Sequence, residues 1–156
     1  YKRQIVGYNF GAQKIDRVKQ TLKLGIVSGV VITSSGFFIC ELFPHAVSAI
    51  FTDSDHLIDL AVDGLRITVI MFPFVGAQIV IGNFFQSIGK AKISIFLSLT
   101  RQLLYLLPCL LLFPNWWGLK GIWISMPVSD ALAFITAVVS LIIYIKKVSK
   151  QHPIAE

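Results

Sequence analysis

Charge is what this sequence has least of. Only 14% of its 156 residues are charged, against roughly 25% in soluble domains, while 55% are apolar. That balance excludes a soluble globular fold and makes the chain a membrane protein. Cysteine is scarce, and Cys40 and Cys109 both sit inside apolar runs. A disulfide framework and a thiolate metal site are thereby excluded, and both residues read as small buried hydrophobes. His45, His56 and His152 all lie outside the apolar runs. The cluster of ionisable groups at membrane depth that a membrane enzyme would need is missing, so no catalytic residue and no metal ligand is assigned. There is no signal peptide of the usual charged and apolar regions. There is also no initiator methionine, and the opening Gln4-Ile5-Val6-Gly7 reads as a continuation, so we expect a fragment of a longer polypeptide. Acids are outnumbered, with 8 Asp and Glu against 14 Lys and Arg. The excess cations cluster at the ends of apolar runs, which is the positive-inside pattern and not a nucleic-acid footprint.

What is present is a set of long apolar runs. The run Ile93 to Phe113 holds about twenty apolar residues, long enough to span a bilayer, with one charge, Arg101, near its middle. Three others accompany it. The expected organisation is an all-α polytopic membrane helix bundle with four complete transmembrane helices, at about 24–43, 58–89, 93–113 and 119–145. Residues 1–23 precede it as a tight turn, Gly7 to Ala12, and a short amphipathic surface helix from about Gln13, with Ile15, Val18 and Leu22 on one face. Residues 146–156 follow as a polar tail, disordered from Gln151. The segment Pro44 to Leu57 reads as a loop, and Thr52-Asp53-Ser54-Asp55 as a helix start. Lys and Arg collect before the first span, after the second and after the fourth. That places both ends of the chain on the cytoplasmic side.

Several residues stand out within the spans. Pro73, Pro108 and Pro127 each remove a backbone donor and predict helix kinks. Gln78, Asn83 and Gln86 recur at one-turn to two-turn spacing; they line a polar cavity or bond to neighbouring helices, and both readings stay open. Gly25, Ser28, Gly29, Ser34, Ser35 and Gly36 fit close helix packing in lipid. Asp63 and Arg66 are expected to pair at the outer interface. Gly89-Lys90-Ala91 is not a phosphate loop, because no Ser or Thr follows the lysine.

Arg101 and Asp130 are the deep charges. At 1.5 Å per residue, Arg101 lies roughly 12 Å from its cytoplasmic end. Asp130 lies roughly 16–22 Å from the same side, an offset of about 4–10 Å that a long arginine can cover. The third and fourth spans are joined by a short loop, so the two residues are expected to meet. The pair is either structural or part of a charge relay or substrate contact, since intramembrane charges commonly mark pathways.

Ile5-Val6-Gly7-Tyr8-Asn9-Phe10-Gly11-Ala12 followed by Arg17-Val18 resembles a loop motif of the multidrug and toxic compound extrusion (MATE) family, with Gly7, Asn9 and Gly11 as its markers. Phe85 to Ala91, Ser98 to Gln102, and Gly118 to Trp123 with Pro127 and Asp130 are similar to later segments of that family, in order. The resemblance implies twelve helices in two lobes, of which this chain holds the last four. It also implies a secondary antiporter exporting cationic or amphipathic drugs or toxic metabolites in exchange for Na⁺ or H⁺. It carries no other cofactor. The implied partners are the lipid bilayer, the N-terminal lobe of the same polypeptide and a small-molecule substrate, in a plasma membrane, here a bacterial inner membrane. Some relatives carry a carboxylate in the tenth helix, whereas Phe72 to Phe85 contains no acid. The alternatives are a lipid-linked precursor flippase of the same superfamily, which calls for several cations in a cavity, and a non-transport membrane scaffold subunit.

Overall fold

The structure is a computed structural model that describes the backbone of residues 2–151 and the side chains of residues 4–148. The expected polar tail beyond Gln151 lies outside the described residues. All regular structure among the described residues is helical. Helix α1 covers Lys2–Gly11, α2 Ile15–Leu42, α3 Pro44–Ala49, α4 Asp55–Val69 and α5 Phe72–Ser87. Then come α6, Ala91–Leu99, a π-helical segment, Thr100–Leu106, α7, Leu107–Trp117, and α8, Leu119–Gln151. Three helical stretches are long and apolar enough to cross a membrane by themselves: α2, the run Ala91–Trp117, and α8. The fourth span is the pair α4 and α5, bent by 51° at a short break.

The first expectation to be corrected concerns the start. Gly7 and Asn9 do not form a turn; they lie inside α1, and Gly11 is its last residue. Gly7 serves packing instead, because a Cβ there would sit 2.9 Å from the carbonyl oxygen of Ser87 at the end of α5. Asn9 is buried and donates from Nδ2 to the Ile5 carbonyl at 2.8 Å. The reversal comes later. Lys14 N–H bonds the Asn9 carbonyl and Gln13 N–H bonds the Phe10 carbonyl, with Gln13 at φ 58°. This is a Schellman ending, whose left-handed residue closes the last carbonyls of a helix. Gly89 repeats it after α5, at φ 77°, with Lys90 N–H on the Phe85 carbonyl.

The second correction is that no separate surface helix precedes the first span. Residues 15–42 form one helix, because nothing between Lys23 and Leu24 interrupts helical bonding. Val18 and Leu22, expected to face the membrane surface, are buried against the bundle. The third is that Pro44–Ala49 is a short helix inside the expected loop, begun by its proline. Helix α4 starts at Asp55, within the expected helix-start segment but three residues before the expected span start at about 58, with Ser54 preceding it in extended geometry and no side-chain cap. The third span also runs further than Phe113, through Pro114 to Trp117, and α8 continues past Ile145 to Gln151.

The spans pack in the order α2, then α4–α5, then α8, then α6–α7. The apolar core gathers at the basic end, where Val18, Leu22, Ile81, Phe85, Leu97 and Ala137 close against one another. The outward faces stay apolar, as Leu24, Val31, Leu104 and Ile143 show, which suits lipid because hydrocarbon is as good a neighbour for leucine as protein.

Candidate functional site

The site begins with a defect in the third span. Pro108 has no N–H for the Leu104 carbonyl, and its ring crowds that carbonyl. The chain answers with a wider turn. Leu107 N–H bonds the Gln102 carbonyl, five residues back, and residues 100–106 take π-helical form. Such segments are rare and frequently fall at functional sites. Arg101 and Tyr105 project from this one.

Both reach α8. Arg101 Nε lies 2.8 Å from Asp130 Oδ1. The carboxylate is buried, at 9% side-chain exposure, while the guanidinium keeps 35%, so the pair is open on the arginine side only. Tyr105 Oη lies 2.8 Å from Thr136 Oγ1, and Thr136 in turn bonds the Leu132 carbonyl. Since α7 and α8 run antiparallel across the Gly118 turn, the two side chains must cross, Arg101 extending outward and Tyr105 back toward the basic end. Tyr105→Phe is therefore expected to cost about 1 kcal/mol, the ordinary net value of one hydrogen bond. Thermal unfolding of the full-length protein measures it, and a loss above about 3 kcal/mol would make Tyr105 part of the ion pair and not its neighbour.

Ser125 and Ser129 sit fully buried on the same stretch of α8. Their hydroxyls donate to the Gly121 and Met126 carbonyls. Pro127 lies between them, and α8 runs through it without interruption.

The second span breaks at the same depth. Gly64 lies under the Trp123 ring, Phe74 meets Phe134 edge-on at 5.2 Å, and Phe85 meets Tyr144 at 5.5 Å. Each pair is spaced by about 60 residues, as expected for two helices running parallel in constant register. On that register Asp130 is level with Ile70 and Met71, the residues of the break. Pro73 is the second residue of α5, so its ring displaces the chain from the Val69 carbonyl. Phe74 and Val75 N–H both turn to the Met71 carbonyl instead. A charged pair, a π-helical turn and a broken helix thus share one level of the bundle.

The other residues singled out in the sequence are not drawn together. Gln78 is buried, and its Oε1 is without a hydrogen-bond partner among the described residues. Asn83 is half-buried beside Gly25 and Ser28 in a cavity of about 500 Å³ between α2 and α5. Gln86 is exposed. Arg66 does not pair with Asp63; its Nε lies 4.0 Å from Glu41 Oε1, because α2 ends beside α4 and offers a carboxylate from outside the helix. Sequence reasoning missed the π-helical segment and the Tyr105–Thr136 contact. Pro108, two turns beyond a lone arginine, was the available signal.

The MatE family profile matches residues 3–111. No curated protein matches the chain. A solved structure named protein A is 39% identical, with a TM-score of 0.81 over 88% of this chain and 31% of its own length. The inward-facing conformation of a multidrug resistance MATE family transporter of the MOP superfamily is 19% identical, with a TM-score of 0.89 over 96% of this chain and 35% of that one. The Vibrio cholerae MATE transporter VcmN in its bent form is 18% identical, with a TM-score of 0.83 over 92% of this chain and 33% of that one. The chain spans about a third of the length of the solved structures it matches.

Proposed function

The chain belongs to the MatE family of membrane transporters, and from that premise we propose that it forms the C-terminal part of a secondary active antiporter. The substrates are cationic or amphipathic compounds, exported in exchange for Na⁺ or H⁺. The observation that carries this reading is the Arg101–Asp130 pair at membrane depth, level with a broken helix. Charges in a bilayer are costly and are kept where they serve a pathway. Broken helices supply polar backbone around such pathways. Alternating access by rocking of two lobes supports the same reading, because the fold matches an outward-facing MATE structure as well as an inward-facing one, with TM-scores of 0.89 for each. A bundle that keeps its shape in both states is what a rocking lobe requires.

The basic ends of the spans face the cytoplasm in this reading, the membrane is a bacterial inner membrane, and the partner lobe is supplied by the same polypeptide. The test is export of a fluorescent cationic dye from proteoliposomes of the full-length protein under an imposed Na⁺ or H⁺ gradient. Export that follows one of these gradients and stops when it is collapsed is the expected result. No gradient-driven export of any cation tested would overturn it and favour a lipid-linked precursor as the cargo.

A further inference from the structure

A basic cavity lies apart from the ion pair, at the basic end of the bundle. It is a half-open cavity of about 880 Å³ where the α1–α2 turn, the α5–α6 turn and the last turns of α8 converge. That volume is within the roughly 300–1,000 Å³ of small-ligand sites. Its polar lining includes Lys90, Lys147 and Ser140, and its walls include Phe10, Phe96 and Tyr144. No acidic residue lines it among the described residues.

We propose that this cavity is a binding site for the phosphate headgroup of an anionic phospholipid, held by Lys90 and Lys147 in the leaflet on the basic side. Cationic cavities between membrane helices at an interface suit such headgroups. The backbone is arranged to the same end. The carbonyls that would repel an anion at the ends of α1 and α5 are closed by the two Schellman turns. The start of α6, which also borders the cavity, carries no side-chain cap and no acid in its first turn, so its helix dipole adds to the lysines' attraction. The apolar part of the lining decides between two sources of phosphate. A soluble phosphate compound gains nothing from Phe96 or Ile93, whereas the glycerol and upper acyl carbons of a lipid do.

The experiment is native mass spectrometry of the full-length protein with phosphatidylglycerol and phosphatidylcholine of identical acyl chains. The wild type is expected to retain phosphatidylglycerol on the order of tenfold better, from two lysines near the headgroup. The Lys90→Gln, Lys147→Gln double variant is expected to lose that preference. Lys92→Gln removes a nearby lysine that does not line the cavity and is expected to keep it. Equal retention of both lipids by the wild type, or a preference unchanged in the double variant, overturns the site. Release of bound phosphatidylglycerol by millimolar glycerol phosphate overturns the lipid as occupant and makes the cavity a soluble-anion site. The wild type and both variants are compared after size exclusion, so that only monodisperse protein is scored.

Discussion

Asp130→Ala in the full-length protein is expected to lower stability by about 3 kcal/mol and to abolish dye export. The carboxylate is buried and its partner is the Arg101 guanidinium at 2.8 Å. Removing it leaves a guanidinium at membrane depth with no counter-charge, which is the expensive half of the pair. The low end of the usual penalty applies, because the guanidinium retains some exposure and can turn toward it. Arg101→Gln should cost less in stability, since a buried carboxylate can take up a proton and become neutral. The informative variant is the double one, Arg101→Met with Asp130→Leu. Replacing a buried pair by apolar residues of similar volume is commonly neutral for stability, so this protein should fold and melt near the wild type. If it also exports dye, the charges serve only to tie α8 to the π-helical segment. If it is stable and inactive, the pair works in transport, which is the outcome we expect. A single Asp130→Ala variant that melts with the wild type would mean that Arg101 does not depend on this carboxylate.

That pair was legible in the sequence because the relevant physics is one-dimensional. A rise of 1.5 Å per residue, a bilayer of known thickness and a short connecting turn fix the depth of two charges without side-chain coordinates. The break at Ile70–Met71 was legible in the same way from Pro73. The helix through Gly7 and Asn9 was not. Glycine and asparagine carry the same letters whether they turn the chain or let another helix approach, and only the neighbour decides. Here the neighbour is the end of α5, some eighty residues away in sequence. The π-helical turn was hidden for a related reason. Pro108 announces a backbone conflict, but a kink, a break and a widened turn all resolve it. The choice depends on what α8 offers to hold, which is Asp130 and Thr136. The pairing of Arg66 with Glu41 was missed because helical spacing favours Asp63, while a carboxylate arriving from α2 leaves no local trace.

Gly76→Ala is expected to loosen the α2–α5 crossing at a cost of about 2–3 kcal/mol. A Cβ at Gly76 would lie 2.6 Å from the Gly29 carbonyl oxygen and 2.9 Å from its carbon, as well as against Thr33 Oγ1. The threonine can rotate, although it would give up its bond to the Gly29 carbonyl, but the α2 backbone cannot move without opening the whole α2–α5 contact. The contact is reciprocal, since a Cβ at Gly29 would lie 3.0 Å from the Gly76 carbonyl oxygen. In lipid there is no hydrophobic gain to hold two helices together, so such close backbone packing carries the association. Gly36 is the matched control. It lies on the same helix as Gly29, but a Cβ there meets nothing within 4 Å. Gly36→Ala should therefore be neutral or stabilising by up to about 1 kcal/mol, the helix-propensity difference alone. Thermal unfolding of the full-length protein separates the two, and equal melting of both variants would show that the α2–α5 crossing is looser than its geometry states. A loss at Gly76 with export retained at low temperature would place this contact in the assembly of the lobe, whereas a loss of export without a loss of stability would place it in the motion of α2 against the broken span.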